Sequence, residues 1–503
     1  MAEIQKVLIA NRGEIALRVI RTCRDMGIQT VAVYSDPDAH APHVLHADES
    51  VHIGPAASSE SYLVFDKIIN AAKQTGADAI HPGYGFLSEN GNFAERCRNE
   101  DLIFIGPKPE SIRLMGDKTA ARELMSKADI PYPPGTKDAL KDPEEAEKIA
   151  EDIGYPVLVK AAAGGGGKGM RIIHNKEDFQ SGIKAARSEA RNAFGDDRVY
   201  IEKYLEEPRH VEFQIIADKH GNVLHVFDRE CSIQRRHQKV IEEAPCAILT
   251  PELRAEMAEA AIAVAKACDY ENAGTIEFLV DRNRNFYFLE MNTRLQVEHP
   301  VTELITGLDL VQLQILVAQG CELPLKQEDI KKQGHAVECR IYAEDPRDNF
   351  LPSTGRLTKH RIPSGNGIRV DAGVEEGQSI TINYDPMISK LCSYGKNREE
   401  AIQRMLRALE EYEIGGCRTT IPFCRYVLQH NDFRSAEYDT HFVPDIFDPT
   451  ALDNGDARLA DIRSVAAALL KREQSEENNQ SSFKRTAVSQ NSHSLWWKKR
   501  QNR

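Results

Sequence analysis

Residues 274–300, GTIEFLVDRNRNFYFLEMNTRLQVEHP, place acidic and amide side chains inside two apolar runs of strand-like composition. The runs IEFLV and NFYFLE are rich in aromatic and β-branched residues, and the intervening DRNR has turn chemistry, so the stretch reads as a β-hairpin. An even-numbered loop centred on Asn283 and Arg284 sets Glu277 directly opposite Glu290. Facing residues lie about 5 Å apart at Cβ, and two carboxylates that close repel unless a cation or proton lies between them. A hard divalent metal is the economical occupant, with Asn292, in phase with Glu290, as a neutral oxygen ligand. Arg294, Gln296 and Glu298 continue the alternation and offer a cation, an amide and a candidate base. The competing structural reading is a polar sheet edge.

Around this hairpin the chain of 503 residues is too long for one core, so several packed units are expected. With 41% hydrophobic and 28% charged residues the composition is that of a soluble globular chain. A formal net charge of −13 argues against a general nucleic-acid binder, though not against a local basic pocket for a small anion. Ten scattered cysteines, with neither a CxxC pair nor a disulfide spacing, read as buried free thiols in a reducing compartment. No apolar window reaches the length of a membrane span and no signal segment is evident, so a cytoplasmic protein is expected.

Upstream, KVLIA, a helix-periodic segment from Gly13 and TVAVYS form a βαβ opening of a parallel sheet without GxGxxG. The loop HPGYGFLSEN follows the strand DAIH at its carboxyl end, where open α/β sheets bind ligands; its Glu89 either serves a site or caps the next helix. After the break PYPPGT, the strand PVLVK runs into AAAGGGGKGM and then RIIHN. Four consecutive glycines between strands read as a mobile flap that lays backbone N–H groups against phosphate, not as a Walker loop. Lys118 and Lys160 are phosphate cations or solvated lysines on this evidence, and VYIEKYLE followed by Pro208 to His210 is a nucleotide-pocket hinge or a plain connector. CSIQRRHQK concentrates Arg235, Arg236, His237 and Lys239 in an acidic chain, implying a small anion near the metal. Met257, Ala261, Val264 and Ala265 form the core stripe of one helix, and ELITGLDLVQLQILVAQG reads as another buried helix. Beyond Gly334 the segments look like antiparallel strands; Arg340, two residues after Glu338, is either half of a structural ion pair or an anion-binding residue. In the tail, a helix-like ARLADIRSVAAALLKRE precedes a disorder-prone stretch and LWWKKRQNR, a docking peptide or a sticky end.

NRGEIALR, HPGYGFLSEN, AAAGGGGKGM, RECSIQRRHQK, EEAP and EMNTRLQVEHPVTE together make residues 6–447 resemble the biotin carboxylase subunit or domain of biotin-dependent carboxylases, ATP-grasp enzymes. The resemblance implies an α/β and α+β multidomain fold: an N-terminal parallel-sheet (pre-ATP-grasp) domain over 1–114, an ATP-grasp lid over 131–205 and core over 206–330, a C-terminal antiparallel β-rich domain over 334–446, and a tail over 449–503. It implies that Lys118, Lys160, Gly165, Gly166, Glu202, Lys203, Leu205, His210, Gln234, His237, Glu277 and Glu290 serve ATP, and that Glu277, Glu290 and Asn292 hold Mg²⁺ or Mn²⁺. Lys239, Arg294, Gln296 and Val297 would bind bicarbonate, Glu298 would deprotonate it, and Arg340 would steady the biotin enolate. No lysine is flanked by two methionines, so the expected partners are a separate biotin carboxyl carrier protein and a carboxyltransferase subunit, with fatty acid biosynthesis as one destination and a homodimer as the assembly. A carbamoyl-phosphate type ligase and a nucleotide-binding regulatory subunit are the alternatives; the final carboxyl acceptor is not written in this chain.

Overall fold

In a computed structural model, the described residues are 3–136, 140, 143–161, 170–236, 238–452, and 465, 468, 469, 471 and 472. Contacts divide the chain into a large unit, Met1–Phe447, and a small one, Asp448–Arg503. In the small unit the described residues include a short 3-10 turn at Pro449–Leu452, while most of the tail, with both tryptophans, lies outside the described residues.

The large unit opens with a five-stranded parallel sheet in the order Glu49–Gly54, Gln29–Ser35, Lys6–Ile9, Ala79–His81, Ile103–Phe104. Its three central strands are mostly apolar and buried because both faces are covered, while the edge strand Glu49–Gly54 is polar and largely exposed. Gly13, at φ +66°, makes the tight passage from the first strand into the helix Gly13–Asp25, a conformation glycine adopts without steric penalty. A separate three-stranded antiparallel sheet pairs Val157–Ala161 with both Met170–Ile173 and Val199–Lys203. Lys160 faces Met170 across the pair, so the flap's flanking strands do form a hairpin; residues 162–169, with Gly165 and Gly166, lie outside the described residues.

An eight-stranded antiparallel sheet carries the rest, in the order Phe286–Asn292, Asn272–Val280, Arg209–Ala217, Val223–Arg235, Gln238–Ala244, His335–Tyr342, Met387–Gly395, Ile368–Ala372. It runs without interruption across the expected boundary near residue 330, because Ala244 pairs with Ala336 in the same ladder. Phe278, fully buried, packs edge-on against Phe213 and Phe286, and the stripe Met257, Ala261, Val264 and Ala265 lies in the same core. That apolar layer clamps one face of the hairpin, so its polar residues are committed to the other.

Three expectations change. The hairpin loop is odd: Val280 pairs with Phe286, and a bulge between Phe278 and Glu277 restores the register that sets Glu277 opposite Glu290. Asp281 builds the turn by accepting hydrogen bonds from the Asn283 and Asn285 backbone N–H groups, both 2.8 Å. The strand stops at Asn292, so Gln296 and Glu298 arrive by a turn and not by strand alternation, Glu298 being the N-cap of the helix His299–Thr306. Finally, ELITGLDLVQLQILVAQG is two helices, His299–Thr306 and Leu310–Ala318, bent by 97° at Gly307, where φ is +74°. Among the described residues no single helix is long and apolar enough to cross a membrane.

Candidate active site

His210, Glu212 and Gln214 lie at alternate positions of a buried central strand, and Glu212 is the register partner of Glu277 on the next strand. Lys239 crosses from the strand Gln238–Ala244 into this row and donates to Glu212 (2.5 Å), Glu277 (2.8 Å) and Glu298 (2.7 Å). Burial alone would lower the Lys239 pKa, but the three carboxylates hold it well above its ordinary value. Glu298 shows the converse. Burial would raise its pKa, yet Lys239, Arg340 and Arg229 hold it far below the carboxylate range, so at neutral pH it is an ionised group at 2% exposure. Its Oε2 accepts from Arg340 Nη2 at 3.0 Å, while Arg340 Nε donates to Glu242 at 2.6 Å. Arg340 is therefore ion-paired on both edges, with Glu242 and with Glu298.

Glu277 gathers donors from every side. Asn292 Nδ2 (2.9 Å), Gln296 Nε2 (2.7 Å) and Lys239 reach Oε1, and His210 Nε2 lies 2.9 Å from Oε2. Gln234 Nε2 sits 3.0 Å from His210 Nδ1 and also donates to the Cys231 carbonyl (2.8 Å), fixing the ring. Burial opposes ionisation of Glu277, but Lys239 and His210 outweigh it and hold its pKa well below 4.5. Glu290, across the hairpin, is exposed. The donor set at this end, two carboxylates and the Asn292 amide, is all hard oxygen once the amide turns its oxygen inward, which fits Mg²⁺.

Arg294 Nε donates to Glu89 at 2.9 Å and Nη2 to Asn292 Oδ1 at 2.9 Å. The helix after HPGYGFLSEN is capped by Asn90, whose Oδ1 accepts from the Phe93 N–H, so Glu89 is not the cap and pairs instead with Arg294. In the three-stranded sheet, Glu202 is buried between Lys160 and Arg122, and Lys203 Nζ donates to the carbonyls of Gly154 (2.9 Å) and Tyr155 (3.2 Å). Leu205 is half-buried just past that strand. Lys118 begins the helix Lys118–Lys127; its side chain and His237 lie outside the described residues. Val297 presents its carbonyl to Lys390 Nζ at 2.9 Å.

The basic loop is corrected in part. Arg235 pairs with Glu344 and lies over Tyr342 and Phe350, and Arg236 donates to the Asn349 carbonyl, so the described cations other than Lys239 fasten the loop to neighbouring segments. Sequence reasoning missed Glu212 and Arg229. Arg229, with no exposed surface, donates to Glu212 (2.5 Å), Gln214 (2.9 Å), Thr302 (2.9 Å), Thr275 (3.2 Å) and Gln296 (2.9 Å). Glu212 was detectable by the signal that exposed Glu277: polar side chains at alternate positions of an apolar strand. Arg229 leaves no such trace, since its acceptors come from four separate stretches.

An ionised buried carboxylate held between a lysine and an arginine, beside an oxygen-rich end, has the chemistry to take a proton from a small anion. Family models match along the chain: biotin carboxylase, N-terminal domain, over 3–112; carbamoyl-phosphate synthase L chain, ATP binding domain, over 117–326; and biotin carboxylase C-terminal domain over 338–445. The chain is 53% identical over 441 residues to biotin carboxylase 1 of Bacillus subtilis, covering 88% of this chain and 98% of that one. It is 56% identical over 444 residues (88% of this chain) to the mitochondrial propionyl-CoA carboxylase alpha chain of Mus musculus, of whose length it spans 61%. A solved structure, the biotin carboxylase domain dimer of the Hydrogenobacter thermophilus 2-oxoglutarate carboxylase with MgADP, ADP and bicarbonate, superposes with TM-score 0.84 at 48% identity, over 88% of this chain and 98% of that one. The chain belongs to the biotin carboxylase family.

Proposed function

We infer that the chain catalyses ATP-dependent carboxylation of biotin with bicarbonate, the first half-reaction of a biotin-dependent carboxylase, and that Glu298 is its base. The observation that carries the assignment is the ionised Glu298 carboxylate bridging Lys239 and Arg340. Bicarbonate bound by Lys239, Arg294, Gln296 and Val297 gives its proton to Glu298, and the carbonate oxygen attacks the γ-phosphorus of ATP as ADP leaves. Carboxyphosphate then yields CO₂ and phosphate next to biotin. The released phosphate takes the N1′ proton of biotin, Arg340 stabilises the negative charge this leaves on the ureido oxygen, and N1′ attacks CO₂. Lys118, Lys160, His210, His237 and Gln234 contact the nucleotide, with Glu202, Lys203 and Leu205 around adenine. The flap through Gly165 and Gly166 excludes water from the labile intermediate. Glu277, Glu290 and Asn292 hold Mg²⁺, with Mn²⁺ tolerated; the bound cation supplies charge neutralisation to the phosphates.

We further propose a homodimer, a biotin carboxyl carrier protein as substrate partner, a carboxyltransferase subunit that selects the acceptor, and a cytoplasmic location. The units 1–114, 131–205, 206–330 and 334–446 are proposed as domains. Fatty acid biosynthesis follows only where the acceptor is acetyl-CoA, testable by adding acyl-CoA substrates to the reconstituted carboxylase. Purified chain given MgATP should release ADP in a bicarbonate-dependent manner, faster with free biotin. ADP release indifferent to both would overturn the assignment. Bicarbonate dependence without a biotin response would favour a carbamoyl-phosphate type ligase, and nucleotide binding without turnover a regulatory subunit.

A further inference from the structure

Lys390 has no exposed surface, yet it is charged and lies outside the row of groups that face the reactants. On its strand it is flanked by Arg340 on one side and Asp371 on the other, one residue from each neighbouring strand. Its hydrogen bond goes to a backbone carbonyl, that of Val297, at 2.9 Å. Glu14 Oε2 lies 3.1 Å away without hydrogen-bond alignment, Asp371 Oδ2 lies 4.0 Å away, and the Tyr84 ring centroid 5.8 Å away.

The Val297 carbonyl and the Glu298 N–H belong to one planar peptide group, so gripping the carbonyl fixes the plane from which the Glu298 side chain departs. Glu298 needs such a hold. It is an N-cap outside regular helix, at φ −80° and ψ 9°, with no side-chain capping bond. The preceding carbonyl, of Gln296, is gripped in the same way by His299 Nδ1 at 2.7 Å. A buried ammonium survives only with counter-charge, which comes from Asp371 on the neighbouring strand and from Glu14 in the first turn of the helix Gly13–Asp25. Burial pushes the Glu14 carboxyl up to about 7 even with Lys390 beside it, whereas Asp371, against burial, is held down at about 2 by Arg369 and Lys390 and is the firmly ionised neighbour of the ammonium.

We propose that Lys390, held in charge balance by Asp371 and Glu14, is a positioning residue that sets the Val297–Glu298 peptide and thereby the reach of the Glu298 carboxylate toward bicarbonate. This rests on Glu298 being the base. A displacement of about 1 Å at a reacting group lowers rate by up to about 100-fold.

The test uses the full chain with MgATP, bicarbonate and free biotin, comparing wild type, Glu298→Gln, Lys390→Met and the double variant Glu14→Gln/Lys390→Met. Lys390→Met should lower kcat/KM for bicarbonate about 10- to 100-fold with KM for ATP within twofold of wild type. The double variant removes both charges, so its Tm should recover toward wild type while kcat/KM for bicarbonate stays low. If the single variant does not fold, the double variant alone decides. Recovery of bicarbonate kcat/KM in the double variant, losses shared equally by ATP and bicarbonate, or failure of the double variant to fold would each reduce Lys390 to a structural cation and overturn the inference. Unimpaired Glu298→Gln would instead remove the base assignment, whatever Lys390 does.

Discussion

Replacing Glu298 by glutamine keeps the side-chain volume, removes one negative charge and turns one of the two oxygens that join Lys239 to Arg340 into an amide donor. The site then retains Glu212, Glu242 and Glu277 against Lys239, Arg229 and Arg340, three carboxylates facing three cations where the native site has four against three. No buried charge is orphaned: Lys239 keeps Glu212 and Glu277, and Arg340 keeps Glu242. Stability should therefore change by no more than about 1 kcal/mol, well below the typical loss when one partner of a buried pair is stripped away. Chemistry should suffer far more. A positioned general base contributes about 10²- to 10⁴-fold, equivalent to about 2.7–5.4 kcal/mol in the barrier. The assay is bicarbonate-dependent ADP release with free biotin, beside calorimetric titration with ADP and urea unfolding. A variant that binds ADP normally, unfolds at the native urea midpoint and loses at least 100-fold in kcat fits the reasoning. Retention of more than a tenth of kcat would refute it, because an amide cannot accept the proton.

Lys239→Met leaves Glu212, Glu277 and Glu298 facing one another without their common cation, so urea unfolding should show a loss of about 3–5 kcal/mol; a loss under about 1 kcal/mol would contradict the charge arrangement. Glu89→Gln takes the charged partner from Arg294 and should raise KM for bicarbonate severalfold with KM for ATP unchanged, as read by steady-state kinetics. Glu14→Gln tests pH linkage. Its carboxyl, pushed up to about 7 in the fold from an ordinary 4.5, binds more protons folded than unfolded, so it lowers stability progressively as pH rises from about 4.5 to 7. The variant should remove that decline, gaining up to about 3 kcal/mol by pH 8 and little at pH 4.5, as followed by urea midpoints; an equal gain at both pH values would count against it.

Legibility followed the distance over which each feature is encoded. The parallel opening, the antiparallel hairpins and the Glu277–Glu290 pairing were readable because alternation and turn chemistry act within a few residues. Even there the correct pairing came from an odd loop plus a bulge, since strand register answers to packing on the Phe278 side as well as to the turn. Glu298 was readable as a polar residue in an unusual run, but its delivery by a helix N-cap was not, because the chain leaves the sheet edge at Asn292 while the neighbouring strand continues to Asn272.

By itself the sequence determined which residue types were available, the positions where carboxylates interrupt apolar strands, and, through six motif stretches, the family to which they belong. Tertiary structure alone decided the protonation and partnership of those groups. Glu298 is ionised because Lys239 and Arg340 arrive from strands about 60 and 40 residues away in sequence, and Glu89 joins Arg294 from the loop that follows the parallel-sheet strand Ala79–His81. Lys390 and Glu14, 376 residues apart by number, come within 3.1 Å of each other. Electrostatic energies depend on separation in space and on removal from water, neither of which is a local property of the chain.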